Sequence, residues 1–223
     1  MSETREPVKK VRNAVLYSDG TIRVDNVRAS YPHLLKPYAG NNDEGGGGEP
    51  KYSLVALLPK DTHAAAKALI EARINEILKE NKLKALPDDR LCLRDGDKSG
   101  KAENEGMWTL SARESRAPVL RSPSKGVIRP GDTVRVAGRD VKAEDLFYGG
   151  CWVNAIFRFW YQNNKYGKRV NGGLVAVQFV RDGEAFGQGR ISEDAIDDSF
   201  EALEDDESGF EDADENEDEY AGL

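Results

Sequence analysis

Residues 151–161, CWVNAIFRFWY, alternate with a period of two, and this constrains the fold more than any other stretch of the chain. Successive side chains of an extended strand point to opposite faces. Cys151, Val153, Ala155, Phe157, Phe159 and Tyr161 therefore share one face, an apolar set suited to a core. Trp152, Asn154, Ile156, Arg158 and Trp160 share the other. Two tryptophans mixed with asparagine and arginine are odd for a core and natural for a surface that meets a ligand.

The stretch that follows, QNNKYGKRVNGG, carries hairpin chemistry in Asn163-Asn164 and Gly167, with Lys165, Tyr166, Lys168 and Arg169 at the tip. GLVAVQFVRDG then reads as the return strand, with Val175, Val177 and Phe179 inward. Further strands are expected near 21–28, 52–58, 107–113 and 132–137. Tyr31-Pro32 is expected to end the first of these, because proline removes a ladder donor. After the second, Asp61 or Thr62 caps a helix whose apolar residues Ala65, Ala68, Leu69, Ala72, Ile74, Ile77 and Leu78 recur at helical spacing, and Pro87 lies beyond its end. Short strands, Gly-rich connections and a single main helix suit a mainly β fold, a partly open β-barrel of the OB type with hairpin extensions.

Charge divides the chain. The net charge is −8, but sixteen of the 40 acidic residues and none of the 32 basic ones lie in 193–223. The tail carries −16, and the body keeps 24 acidic against 32 basic residues, or +8. Within the body, the segment 113–142 is basic, with eight Lys or Arg, among them Arg113 and Arg135, against three acids. The organisation expected is a flexible arm over 1–18, one domain over 19–190 and a disordered acidic tail over 191–223.

Several functions are disfavoured. Cys92 and Cys151 lie far apart without a CxxC or a neighbouring histidine, and His33 and His63 are the only histidines. Two buried thiols are expected, with no metal site and no histidine-based triad. The four glycines in NNDEGGGGEP (41–50) lack the GxxxxGK[ST] spacing and stand among acids that repel phosphate, so they read as a flexible hairpin loop. Asp95-Gly96-Asp97 does not match a calcium loop. No apolar run is long enough to span a bilayer, no secretory signal opens the chain, and residence in the cytosol is the expectation.

Rings and cations without catalytic groups suit flat bases on a charged backbone, so single-stranded nucleic acid is the expected ligand and no cofactor is expected. The residues expected at the site are Trp152, Arg158, Trp160, Lys165, Tyr166, Lys168 and Arg169, with Arg113 and Arg135 on a basic rim. Trp108, which shares a strand face with Leu110 and Ala112, and Tyr31, at a strand exit, are further candidate rings that equally suit the core. An RNA-binding or strand-annealing module would use the same groove. A nuclease would need paired carboxylates and a lysine, and Asp182 and Glu184 with Lys168 form the one set to inspect.

The string YGGCWVNAIFRFWYQNNKYGKRVNGGLVAVQFVRDGEAFG, ending in the block Ala176-Val177-Gln178-Phe179-Val180-Arg181-Asp182-Gly183-Glu184, resembles the C-terminal signature of a bacteriophage single-stranded-DNA-binding protein family. Arg116-Ala117-Pro118-Val119 is a looser match to it. The resemblance implies an OB-fold, binding of single-stranded DNA without sequence specificity, and a role in phage replication or recombination within the infected host's cytoplasm. It also implies a mobile acidic C-terminus. By charge the tail reads either as a solubilising extension or as a DNA mimic with Phe200, Phe210 and Tyr220 in place of bases, and Tyr220–Leu223 is expected to serve as a docking point for replication proteins.

Overall fold

In the computed structural model, residues 5–39 and 49–187 are described. The chain opens with a hairpin of β1 (Pro7–Val11) and β2 (Ala14–Tyr17), turned through Asn13 at a positive φ. A flexible arm over 1–18 is therefore not what residues 7–17 form. Ala14 and Val15 are buried, and β2 pairs with the long strand β3 (Ile22–Tyr38). That apolar run is too brief to show a period among its charged neighbours. β3 also continues through Tyr31-Pro32 instead of ending there. Its register breaks between Ser30 and His33, and Tyr31 takes φ +47°, which absorbs the proline without leaving the sheet.

β4 (Lys51–Pro59) leads directly into α1 (Lys60–Glu80). Pro59 occupies the cap position, so Asp61 falls inside the first turn, where its charge favours the helix N-terminus. The buried face is His63, Ala66, Leu69, Ile70, Ile74, Ile77 and Leu78, while Ala65, Ala68 and Ala72 are exposed. After α1 come β5 (Leu93–Asp95), β6 (Met107–Glu114), β7 (Val119–Arg121) and β8 (Val127–Ile128). A separate hairpin of β9 (Thr133–Val136) and β10 (Arg139–Lys142) leads into the single turn α2 (Ala143–Leu146). The chain returns through β11 (Trp152–Asn164) and β12 (Gly167–Arg181).

Five of these strands close a barrel. β3 pairs with β4, β4 with β6, β6 in parallel with β12, β12 with β11, and β11 again with β3. This is an OB-like fold, mainly β with one main helix. The barrel is closed, where a partly open one was expected. One seam is Trp152–Phe157 against Ile22–Arg28, and the other is the contact of Gly172 with Ala112. The second seam needs a glycine, because a Cβ on residue 172 would stand 2.6 Å from the Ser111 carbonyl oxygen.

The alternation of β11 holds. Val153, Ala155 and Phe157 are fully buried and Phe159 nearly so, while Arg158 and Trp160 are exposed. β12 departs from simple parity. Ile156 lies opposite Ala176 but Phe157 opposite Leu174, so Val175 is the extra residue of a bulge and is exposed rather than inward. Inward residues are Val177 and Phe179 on one side of the bulge, and Leu174, Gly172 and Val170 on the other. Phe147 meets Phe179 edge to face at 6.1 Å, within a core where each buried phenylalanine contributes about 1.5–3 kcal/mol. Both cysteines are free and buried, and burial pushes each thiol up to about 12. The expectations for the 41–50 loop fall almost wholly, and those for the acidic tail wholly, outside the described residues.

Candidate nucleic-acid interface

The β11–β12 hairpin runs past the barrel, and its outer face forms one wall of a groove of about 730 Å³. Strand register explains how the groove is assembled. His33 of β3 lies opposite Ser53 of β4, and Ser53 opposite Arg113 of β6. Across the Gly172–Ala112 seam, Asn171 of β12 lies opposite Trp160 of β11, and Arg169 opposite Gln162. Outward positions from five strands thus fall on one surface. Residues 89–94 lie alongside β12 and line the groove with it: Leu91 bridges Val170, and Arg90 Nη1 donates to the Tyr166 carbonyl at 2.9 Å.

The lining is basic, with Lys51, Arg90, Arg94, Arg113 and Arg169 against Glu49 and Asp89. Asp89 pairs with Arg90 at 3.3 Å. Arg94 is held by the carbonyls of Leu91 and Asp89, at 2.9 Å each, contacts that fix the side chain without cancelling its charge. Tyr38 stands at the rim, stacked on His33 at 4.5 Å between centroids. Burial, with the Arg113 charge, lowers the His33 pKa from its ordinary value and so favours the neutral ring.

Trp160 is the groove's ring, 37% exposed. It lies across Gly173, where a Cβ would stand 2.7 Å from Trp160 Cζ3 and 2.9 Å from Arg158 Cγ. The Arg158 guanidinium sits 5.6 Å from the Trp160 ring centroid and is ion-paired with Glu114. That partner makes Arg158 less a free cation than a brace for the ring.

The other residues expected at the site separate. Tyr166 is 68% exposed at the hairpin tip beneath Lys165, whose Nζ is 5.0 Å from the ring centroid. Lys168 and Arg169 are consecutive in a strand, so they face opposite ways, and only Arg169 lines the groove. Trp152 shares the outer face of β11 but lies eight residues from Trp160, ~26 Å along a strand. It is covered by Arg181 at 4.2 Å and approached by Arg28 at 5.8 Å. Trp108 packs against the core with Lys67 of α1 over its ring at 5.6 Å. Tyr31 is exposed but capped by Lys101, which donates to its hydroxyl at 2.9 Å. Arg135 pairs with Asp140 on the β9–β10 hairpin and does not line the groove.

Sequence reasoning missed Lys51, Arg90, Arg94 and Tyr38. Parity marks Lys51 and Ser53 as outward on β4, a signal that was there to use. Arg90 and Arg94 lie in a loop-rich stretch without periodicity, and nothing local marks them. The nuclease set is not assembled: Asp182 is bound by Arg139 and Tyr148, and Lys168 stands at the other end of β12. Among the described residues no three His, Cys, Asp or Glu groups gather to hold a metal, and no helix is long and apolar enough to cross a membrane.

Comparison with known proteins places this architecture. The chain is 33% identical over 181 residues to putative protein p50 of Acyrthosiphon pisum secondary endosymbiont phage 1, covering 77% of this chain and 89% of that one. It is similar to the solved single-stranded DNA-binding protein from bacteriophage Enc34, at 43% identity and TM-score 0.70, over 87% of this chain and 99% of that one. The same phage protein in complex with ssDNA matches at 44% identity and TM-score 0.69, over 83% of this chain and 100% of that one. A family profile described as Enterobacter phage Enc34, ssDNA-binding protein, matches residues 21–210, and this chain belongs to that family.

Proposed function

We propose that this chain binds single-stranded DNA in the groove lined by the β11–β12 hairpin, residues 89–94 and the ends of β3 and β4. The observation that carries the reading is the exposed Trp160 set among five cations in one open groove. Lys51, Arg90, Arg94, Arg113 and Arg169 draw in the phosphate backbone and displace its counterions. Trp160, with Tyr38 at the rim and Tyr166 at the tip, offers ring faces to bases, each stack contributing ~1–3 kcal/mol. Every base has a π-face, so affinity varies little with sequence.

The family supports a role in phage DNA replication or recombination in the infected cell. The −16 tail is of the right sign to compete with DNA for a +8 body, and Tyr220–Leu223 is the proposed docking point for replication proteins. No step here requires chemistry, and the chain acts as a binding protein.

Fluorescence anisotropy of dye-labelled dT oligomers, over a range of salt, tests the reading. Binding that weakens steeply with salt, and that matched RNA and duplex DNA compete for poorly, is expected. Equal competition by RNA would move the function to a general or RNA-directed single-strand binder, and absence of oligomer binding would overturn it.

A further inference from the structure

The outer face of β11–β12 does not end at the groove. Beyond the bulge at Val175, β7 takes the place of β6 beside β12, with Val119 opposite Ala176 and Arg121 opposite Gln178. On the other side of β12, Ile156 lies opposite Ala176 and Asn154 opposite Gln178. Two rows therefore cross three strands. The first is an apolar shelf, Val119–Ala176–Ile156, with Val119 47% exposed. The second carries side-chain amides and a cation, Arg121–Gln178–Asn154.

The second row is ordered. Asn154 Nδ2 donates to Gln178 Oε1 at 3.2 Å, Gln178 Nε2 to the Ser122 carbonyl at 3.2 Å, and Arg121 Nη1 to the Lys125 carbonyl at 3.1 Å. The acids bordering the track are already engaged, Glu114 by Arg158 and Asp25 by Arg23. Ile156 and Asn154 lie four and six residues from Trp160, ~13 and ~20 Å along the strand.

We infer that this track is a second subsite for single-stranded nucleic acid, occupied by the continuation of the strand held in the groove. This rests on the groove being a single-strand site. The shelf takes one face of a base out of water, the amide oxygens of Asn154 and Gln178, each accepting one protein N–H, keep a second lone pair for donors on base edges, and Arg121 meets a phosphate. Continuity with the groove and the sign of the charge favour this occupant. A peptide partner would have no reason to follow β11 from Trp160.

Oligomers of dT from about 4 to about 16 nucleotides, the span of site sizes in such folds, separate the two subsites. Wild-type affinity is expected to keep rising after the groove is filled. Arg121→Ala should leave the affinity for the shortest binding oligomers unchanged. It should weaken the longest several-fold and lower their log–log salt slope by about one. Arg121→Lys, which keeps the charge, should restore the slope. Equal loss at all lengths, or a wild-type plateau at the length where Arg121→Ala also plateaus, overturns the second subsite and leaves the groove standing. No binding at any length overturns both.

Discussion

The Trp160 ring rests on the backbone of Gly173, and a methyl group at 173 would stand 2.7 Å from Cζ3. Gly173→Ala should therefore displace the ring and Arg158 without altering any charge. The expected result is weaker oligomer binding with an unchanged salt slope. The loss should approach that of Trp160→Ala, ~1–3 kcal/mol, or roughly 5- to 150-fold in affinity. The neighbouring Gly172→Ala should act differently, because its methyl meets backbone of β6. It should lower the thermal midpoint, since overpacking costs about 1–3 kcal/mol. Calorimetry and anisotropy on the two variants separate them, and identical behaviour would contradict the division between seam and site.

Arg90, Arg113 and Arg169 line the groove from three different elements. Alanine at each should lower the slope of log affinity against log salt by about one, uniformly across oligomer sequences. Glu114→Gln should do the reverse. It removes a carboxylate from the interface and releases Arg158, so binding should tighten and its salt dependence steepen. A Glu114→Gln variant that binds more weakly would mean that the ion pair chiefly orients Trp160.

Truncation at residue 192 removes sixteen negative charges. If the tail competes for the groove, the truncated chain should bind oligomers more tightly at low salt. The advantage should shrink as salt screens both partners. Unchanged affinity over the whole salt range would assign the tail to solubility or to protein partners.

His63 is fully buried on α1, with Nε2–H donating to the Asp25 carbonyl and Nδ1 accepting from the Thr62 hydroxyl, 2.8 Å each. Burial lowers its pKa in the folded chain. Between the unfolded value near 6.5 and the lower folded value, the unfolded chain binds more protons. Stability should accordingly be complete above about pH 6.5 and fall as pH drops through that window, before the carboxylates titrate. His33, lowered chiefly by burial, adds in the same direction. Urea unfolding at pH 7.5 and pH 5.5 measures the loss, and His63→Gln should reduce it. A pH-independent midpoint in the wild type would contradict the assignment.

Much of this was legible in the chain. Period-two alternation over 151–161 separated Phe157 from Trp160, and the hairpin, the main helix and the barrel type followed from local pattern. What was not legible depended on pairing. Val175 reads inward by parity, and only the opposed residues Ile156 and Phe157 reveal the bulge that turns it out. Trp152 and Trp160 look equivalent in a string of letters, yet Arg181 and Arg28 reach one of them from distant segments. Arg90 and Arg94 became groove residues because Leu91 bridges Val170 across some eighty positions, a contact that no window of sequence contains.

The unequal covering of the three tryptophans has an optical consequence. Trp108 lies against the core under Lys67 and Trp152 under an arginine, whereas Trp160 stands open in the groove. Intrinsic emission should therefore respond to an occupant of the groove through one indole, against a steady background from the other two. The chain carries its own site-specific reporter, and Trp160→Phe should silence the signal while retaining a ring for the ligand to meet.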